Sequence, residues 1–141
     1  MTTKALKVET KDIPYIWHDV KPLIDKALIH SEGELLSEDV LKLLLEKREY
    51  LFIGKIKDSI QSALVGEVIK YPRRNVFRII TWSTQSGFDS KFWLDYFDVI
   101  EDFARSKDCA SIEAYARKGL ARTLKWDNEY SVISKELNGG V

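Results

Sequence analysis

The segment VFRIITWSTQSGFDSKFWLDYFDVIEDFARSKDCASIEAYARKGLARTLKW, residues 76–126, carries the strongest fold signal in this chain. Residues 76–82 are apolar enough for a central strand, and a short polar loop follows them. Apolar side chains then recur every three or four residues, which predicts a helix with one apolar face. They are Trp93, Phe97, Ile100, Phe103 and Ala104. Alternation from Ile112 to Ala116 predicts a second strand, parallel to the first through a right-handed crossover.

The N-terminal part of the chain predicts one strand and two helical regions. Leu6 and Val8 alternate with charged residues in a short strand, and Asp12 is expected to cap the helix that follows. Pro22 lies inside this helix and lacks a backbone N–H donor, so it is expected to split the helix into two short pieces. Ser37 is expected to cap the next helix.

Three strands follow as a meander, with polar turns between them. The predicted strands are residues 50–56, 63–71 and 76–82. Near the C-terminus, residues 118–126 predict a brief helix and residues 130–137 a last strand. The predicted order is β-α-α-β-β-β-α-β-α-β, an α/β (α+β) fold with a mixed sheet of about six strands and helices on both faces. Residues 1–137 are expected to form one domain and residues 138–141 a flexible tail.

Charge balance and cysteine count exclude several classes of protein. The 141 residues include 22 basic and 22 acidic ones, so no net charge draws the chain to nucleic acid or to an anionic membrane. No apolar run approaches the roughly 20 residues of a membrane span, and residues 1–11 lack the apolar centre of a signal peptide. Cys109 is alone, which excludes an internal disulfide and fits a reducing compartment. A cytoplasmic protein is expected, without a metal site, because His18 and His30 have no partner at ligand spacing.

The loop after residues 76–82 is a candidate site for an anion. It leads from a strand end into a helix N-terminus, where free backbone N–H groups and the helix dipole favour negative charge. Residues 83–90 are therefore where a phosphate-bearing ligand is first expected. The alternative is structural, with Gly87 serving a tight turn and Asp89 capping the helix.

The order of elements resembles that of the Gcn5-related N-acetyltransferase (GNAT) superfamily over the whole chain. Four segments narrow the resemblance to small GNAT-like proteins that tailed phages and prophages encode. These segments are YPRRNVFRI (71–79), KFWL (91–94), IEDFAR (100–105) and ARKGL (116–120), the last followed by Leu124. The resemblance implies a GNAT-like fold and acetyl-CoA-dependent transfer of an acetyl group to an amine.

The resemblance also implies a site for acetyl-CoA between two parallel strands that part from one another. Its pantetheine arm would pair with the first strand, and its pyrophosphate would lie on a loop of type Q/R-x-x-G-x-G/A. The matching strand residues are Trp82, Ser83 and Thr84, and the matching loop residues are Gln85, Ser86, Gly87, Phe88, Asp89 and Ser90. This loop is eroded, because Phe88 and Ser90 replace glycines that let the backbone approach phosphate, and the Asp89 carboxylate would repel phosphate.

The catalytic groups of the family have weak counterparts in this chain. The resemblance implies a tyrosine on the short last helix that protonates the leaving thiolate, but residues 119–124 offer only Thr123, a poor acid near neutrality. Tyr115 lies on the preceding strand and is a second candidate. Glu67 and Glu113 lie near the expected cleft and are candidates for the general base. The alternatives are cross-strand packing for the tyrosine and a solvated strand surface for the glutamates.

Two functional hypotheses result. The first is an acetyl-CoA-dependent N-acyltransferase with an eroded pyrophosphate loop and no obvious general acid. The alternative is a non-catalytic phage or prophage component, in the host cytoplasm or the virion, that binds a protein partner or a second copy of itself through aromatic side chains. Those side chains are Trp17, Trp82, Phe88, Phe92 and Trp93. Nucleic-acid binding through arginines is a weaker hypothesis, because the net charge is zero.

Overall fold

A five-stranded mixed sheet organises the part of the chain that the computed structural model describes, residues 3–29, 33–85, 96–114, 126, 135 and 137. The strands lie side by side in chain order, the first four antiparallel and the last two parallel. The strands are β1 (Thr3–Lys7), β2 (Tyr50–Ile56), β3 (Ser59–Lys70), β4 (Asn75–Thr84) and β5 (Cys109–Ala114). The helices are α1 (Ile13–Leu28), α2 (Ser37–Leu45) and α3 (Tyr96–Ser106), with a 3-10 turn at Thr10–Asp12.

This arrangement confirms the predicted α/β fold, including the central meander and the parallel crossover from β4 through α3 to β5. Apart from the single residues 126, 135 and 137, the predicted helix at residues 118–126 and the predicted strand at residues 130–137 lie outside the described residues, as does the predicted helix cap Asp89. The single domain over residues 1–137 stays a prediction, as does the tail beyond it.

Helices cover both faces of the sheet, as predicted. One face packs against α1 and α2 and buries side chains such as Val20, Leu44 and Val65. The opposite face packs against α3 and buries Phe77 and Ile100 among others. Side chains alternate between these two cores along each strand because successive residues of a strand point to opposite faces. None of the described helices is long and apolar enough to cross a membrane.

Helix α1 is continuous through Pro22, so the predicted split into two pieces is wrong. Proline removes the hydrogen bond that its N–H would make to the carbonyl of His18, four residues earlier. Both residues lie on the exposed side of α1, where that carbonyl is open to solvent and loses no partner by burial. On the buried face of α1, Val20 precedes the proline and Leu23 and Ile24 follow it. The packing of these three side chains holds the turns before and after the proline in line.

Replacing Pro22 with alanine is therefore expected to stabilise the protein. The alanine N–H would restore the missing hydrogen bond, and the pyrrolidine ring would no longer crowd the preceding turn. Alanine would also make the unfolded chain less restricted, which offsets part of this gain. The net increase in the free energy of unfolding is expected to be about 1 to 3 kcal/mol. Urea unfolding of both proteins measures the difference. Pro14→Ala is the control, because Pro14 lies in the first turn, where no hydrogen bond is lost, and it should change stability by less than about 0.5 kcal/mol. A less stable Pro22→Ala variant would contradict this account.

Of the two predicted helix caps, Asp12 occupies the N-cap position of α1, whereas the N-cap of α2 is Leu36 and the prediction for Ser37 is wrong. Asp12 precedes α1 in a helical conformation and makes no capping bond through its side chain to the described residues. At α2, Asp39 caps from inside the first turn, since its carboxylate accepts the N–H of Leu36 at 2.9 Å. Ser37 is instead the first residue of α2, where it is buried. Hydrogen bonds from Lys21, at 2.7 Å, and then from Ser37 lower the pKa of Asp25.

A β-bulge in β4 shapes the region where the candidate site lies. Val65 pairs with Thr81 but Gly66 pairs with Ile79, which leaves Ile80 as an extra residue on β4. A bulge of this kind bends the strand and exchanges the faces to which its side chains point. Ile79 therefore packs under α3 on one side of the bulge, and Trp82 packs under α3 on the other.

Candidate active site at the end of the parallel ladder

The pairing between β4 and β5 ends before β4 does. The described ladder runs from Asn75 with Cys109 to Ile79 with Ala114, whereas β4 continues to Thr84. Over that extension β4 keeps its partner on the other side, up to the pair of Ser62 with Thr84. The continuation of β5 lies outside the described residues, so the parting of the two strands stays a prediction. Five residues of β4, numbers 80–84, extend beyond its described parallel partner.

The main chain of this extension points polar groups toward the β5 side. Beyond Thr84, the N–H of Gln85 donates to the carbonyl of Gln61 at 2.8 Å. In an antiparallel ladder, residues that bond to the neighbour alternate with residues that face away. The backbone groups of Trp82 and Thr84 therefore face away from β3. The Thr84 carbonyl also accepts the Lys26 ammonium of α1 at 2.6 Å.

The side chains of the extension serve packing. The Trp82 ring meets Phe97 of α3 edge-on at 5.1 Å between centroids, and its Nε1–H donates to Ser62 Oγ at 3.1 Å. Ser83 Oγ donates to the carbonyl of Leu23 in α1 at 2.5 Å. Of the predicted cofactor residues, Trp82 and Ser83 thus hold β4 in place with their side chains, and Trp82 turns its main chain toward the β5 side.

The rest of the predicted cofactor loop is only partly described. Gln85 is exposed at the end of β4, whereas Ser86, Gly87, Phe88, Asp89 and Ser90 lie outside the described residues. The candidate catalytic residues Tyr115 and Thr123 also lie outside them. Across the described ranges, no group of three or more histidine, cysteine, aspartate or glutamate side chains is arranged to hold a metal ion.

A line of charged side chains crosses the sheet one residue before the β4–β5 ladder ends. The register pairs Glu67 of β3 with Arg78 of β4, and Arg78 with Glu113 of β5. The neighbours of Arg78 on β4, Phe77 and Ile79, pack under α3. Since side chains alternate along a strand, Arg78 and its partners lie on the α1–α2 face.

Arg78 engages Glu113 and leaves Glu67 the freer of the two predicted bases. The Arg78 Nε and Nη2 atoms lie 2.8 Å and 2.6 Å from the same carboxylate oxygen of Glu113. Arg78 Nη2 also donates to the hydroxyl of Tyr71 at 3.1 Å. This charge-assisted contact occupies the Glu113 carboxylate with a partner inside the protein. Glu67 is half-buried and is the better-placed of the predicted bases.

Glu49 extends this line and was not predicted from the sequence. Glu49 is the residue before β2 and Glu67 is the residue after Gly66, so both lie just beyond the last pair of the β2–β3 ladder, Tyr50 with Gly66. Its residue surface is 5% exposed, and its Oε1 atom is buried without a hydrogen-bond partner among the described residues. Burial and then the charge of Glu67 raise the pKa of Glu49 to about 7, and Arg48 partly offsets them. We call Glu49, Glu67, Arg78 and Glu113 the charged row.

The sequence did contain a signal for Glu49, although a weak one. It ends the polar run EKRE at residues 46–49, which is typical of a solvated turn. It is also two residues before Leu51 and four before Ile53, and both of these are buried under α1 and α2. A carboxylate in phase with a buried strand face is unusual, and unusual enough to mark a functional candidate.

A second buried polar atom lies on the same face. Thr81 is 4% exposed, and its Oγ1 atom is buried with no partner in the part of the chain that the structure describes. Thr81 pairs with Val65, two residues from Glu67 on β3, so the two side chains are diagonal neighbours. Buried polar atoms are usually hydrogen-bonded, and those that are not mark places where a water or ligand atom fits.

Comparison with known proteins identifies the fold. A scan against models of protein families finds no match, and a search of curated protein sequences finds none either. Solved structures do match. An aminoglycoside acetyltransferase from an uncultured soil metagenomic sample, in complex with sisomicin, has a TM-score of 0.74 at 16% identity over 96% of this chain and 95% of that chain.

Two further structures agree with this match. A GNAT family acetyltransferase from Staphylococcus aureus has a TM-score of 0.67 at 16% identity, over 97% of this chain and 100% of that chain. A predicted acetyltransferase from Clostridium acetobutylicum, with acetyl-CoA, has a TM-score of 0.70 at 13% identity, over 96% and 97%. The likeness spans nearly the full length of each protein. This chain therefore has the fold of the GNAT acetyltransferases.

Proposed function

We propose that this protein is an acyltransferase that uses acetyl-CoA to acetylate an amine. The observation that supports the proposal most directly is the position of the charged row at the end of the described β4–β5 ladder, beside five further residues of β4. This arrangement brings main-chain hydrogen-bonding groups and carboxylates together at one place in the sheet. The structures that share the fold, one of them with acetyl-CoA, make the same cofactor plausible for this chain.

The described residues fit the middle part of acetyl-CoA. The backbone groups of Trp82 face the β5 side, where an extended amide chain such as pantetheine would pair as an added strand does. Residues 85–90, Gln85 through Ser90, would hold the pyrophosphate at the entrance to α3. When bound, acetyl-CoA supplies an acetyl group as a thioester that a neutral amine attacks.

The charged row supplies the base that such a reaction requires. Most aliphatic amines carry a proton at neutral pH and cannot attack a carbonyl until they lose it. Glu67 is partly exposed and lies at the level where the β4–β5 ladder ends, so its carboxylate can hold an ammonium group there. The candidates for the proton donor to the leaving thiol are Tyr115 and Thr123, which lie outside the described residues.

Binding of CoA tests this proposal. Adding CoA at about a thousand times its dissociation constant should stabilise the fold by about 4 kcal/mol and raise the melting temperature. Pantetheine alone should give a smaller rise, because it lacks the phosphates. Gly87→Leu should remove the part of the rise that CoA gives beyond pantetheine, because the larger side chain blocks the approach of backbone to phosphate.

The possible outcomes distinguish between CoA binding as such and the position of its pyrophosphate. A melting temperature that is unchanged in millimolar CoA would remove the acyltransferase from consideration. A rise that Gly87→Leu leaves intact would show that the pyrophosphate lies on another segment. AMP serves as the control for nonspecific binding of a nucleotide, and it should produce no shift.

A second candidate function is binding of a protein partner or of a second copy of the chain, as a phage or prophage component. A cleft of about 390 Å³ lies between α1 and α2, and the apolar side chains of Ile29 and Leu36 at its edge are 75% and 56% exposed. The aromatic surface predicted for this role is less favourable, because Trp17 and Trp82 pack partly buried against the two cores. Phe88, Phe92 and Trp93 lie outside the described residues. A cytoplasmic location, or the virion if a phage encodes the chain, is part of either proposal.

A further inference from the structure

We propose that Glu49 and Glu67 work as a pair, in which Glu67 holds the ammonium group of the acceptor and Glu49 stores the proton that this group loses. This inference rests on the acyltransferase function proposed above and assigns a role to a residue that the sequence analysis did not select. It makes the acceptor a cationic amine, bound on the α1–α2 face of the sheet.

The geometry places the two carboxyl groups within reach of each other. The β2–β3 ladder ends at the pair of Tyr50 with Gly66, so Glu49 and Glu67 are the next residues beyond it on the two segments, and the charge of Glu67 acts on Glu49. The two residues differ in access, since Glu67 is half-buried whereas Glu49 is 5% exposed and its Oε1 atom has no partner within the described ranges. The outer carboxylate can therefore touch a ligand while the inner one is shielded from water.

The surroundings of Glu49 favour its protonated form. Two carboxylates that face each other in a partly dry site disfavour double ionisation. The charged groups that act on Glu49 are Glu67 from β3 and Arg48 from its own turn. Arg78 of β4 lies on the far side of Glu67 and is already held by Glu113. The raised pKa of Glu49, about 7, makes it a proton acceptor that works near neutral pH.

The proton balance of the proposed reaction is simple. The ammonium of the acceptor loses two protons while its nitrogen forms the new C–N bond and the thioester C–S bond breaks. One proton passes through Glu67 to the ionised Glu49 and later to solvent. The other ends on the sulfur of the thiol product. No oxidant, reductant or further reactant is required.

The experiment compares the full-length wild type with Glu49→Gln and Glu67→Gln in acetyl-CoA and a panel of amines, namely spermidine, kanamycin and ethanolamine. Release of thiol is followed from pH 5.5 to 9, and CoA binding is measured separately by thermal shift. In the wild type, kcat should fall as the pH drops below about 7. Glu49→Gln should lower kcat about 100-fold and remove that fall, with the KM for amine within about twofold. Glu67→Gln should raise the KM for amine at least about tenfold.

Glu46→Gln is the matched control, because Glu46 is an exposed glutamate three residues before Glu49. It should behave as the wild type does. If Glu49→Gln keeps the wild-type rate and pH profile, or if CoA binds but none of the amines is acetylated, the paired role is overturned and the CoA site stands. If CoA does not bind at all, the acyltransferase proposal itself fails. A loss of activity in Glu49→Gln that is equal at every pH would indicate a structural role and would also overturn the pair.

Discussion

Replacing Glu49 with glutamine is expected to stabilise the folded protein by about 3 kcal/mol at pH 8. Burial and the charge of Glu67 raise the pKa of Glu49 from 4.5 to about 7 in the folded state. Between these two pH values the folded chain binds a proton that the unfolded chain has lost, so stability falls as the pH rises. The stabilising contribution is complete below about pH 4.5 and is gone above about pH 7. The pKa difference corresponds to about 3 kcal/mol of stability that the wild type loses between about pH 4.5 and pH 7. Glutamine does not ionise, so the Glu49→Gln variant should not lose this stability.

Urea unfolding at pH 4.5, 6 and 8 measures this effect. The wild type should lose stability relative to Glu49→Gln across that range, and the two proteins should agree within about 1 kcal/mol at pH 4.5. Glu46→Gln is again the control, because this glutamate is exposed and lies 3.6 Å from Arg48 in a surface ion pair of small energy. If the stability of the two proteins changes with pH in the same way, the pKa of Glu49 is not raised in the folded state and this account is wrong.

The same substitution has opposite expected effects on stability and on catalysis. A more stable Glu49→Gln variant with a lower kcat would show that the loss of activity does not come from unfolding. Buried, poorly paired carboxylates reduce the stability of a fold, and proteins keep them where they serve chemistry. Glu49 has the features of such a residue, since it is buried next to a second carboxylate and no described residue hydrogen-bonds its Oε1 atom.

Replacing Gly66 with alanine is expected to destabilise the protein by about 3 kcal/mol. A Cβ atom at this position would overlap the Cζ and Cε2 atoms of Phe77 and lie 2.9 Å from the carbonyl oxygen of Arg78. The Phe77 ring is fully buried, so it cannot move into solvent to relieve the overlap. Overpacking of a rigid core costs about 1 to 3 kcal/mol, and a backbone atom in the overlap places this site at the upper end.

A double-mutant cycle with Phe77→Leu tests the cause of this loss. If the Phe77 ring is the obstacle, the double variant should lose clearly less stability than the sum of the two single variants. Gly33→Ala is the control for a glycine with free space around it. Gly33 has a φ of +88°, and a Cβ atom there would meet no atom of the described residues within 4 Å, so alanine should cost only the backbone strain, about 1 kcal/mol. Additive losses in the cycle would mean that the bulge itself, and not the ring, requires glycine.

Local patterns predicted the elements correctly where a side-chain period and a turn signal coincide. The apolar face of α3 follows from the spacing of Phe97, Ile100 and Ala104, all of which are buried. The meander follows from polar turns between apolar strands. The errors arose where the surroundings of a residue outweigh its local preference. Pro22 does not split α1, because the carbonyl that loses its hydrogen bond lies on the exposed side of the helix, and the side-chain cap of α2 comes from Asp39 and not from Ser37.

The candidate site depends much more on contacts between distant segments. Glu67 and Glu113 were selected from the sequence, but the Arg78 ion pair that separates their roles requires β3, β4 and β5 to be in register. Trp82 was selected as a cofactor contact, and its ring is held by Phe97 from α3. The partners in such a ring contact or ion pair are distant in the sequence, so no local sequence pattern predicts the contact.

From the order of its residues alone, this chain already specified an alternation of strands and helices, because period and turn chemistry act within a few residues of one another. The folded sheet then assigned what each polar residue does. Glu49 belongs to an ordinary charged turn until β3 places the charge of Glu67 near it and α1 and α2 exclude water from its face. Burial and opposing charge are properties of neighbours that are distant in the chain, so only the assembled sheet could turn this glutamate into a group that titrates near neutral pH.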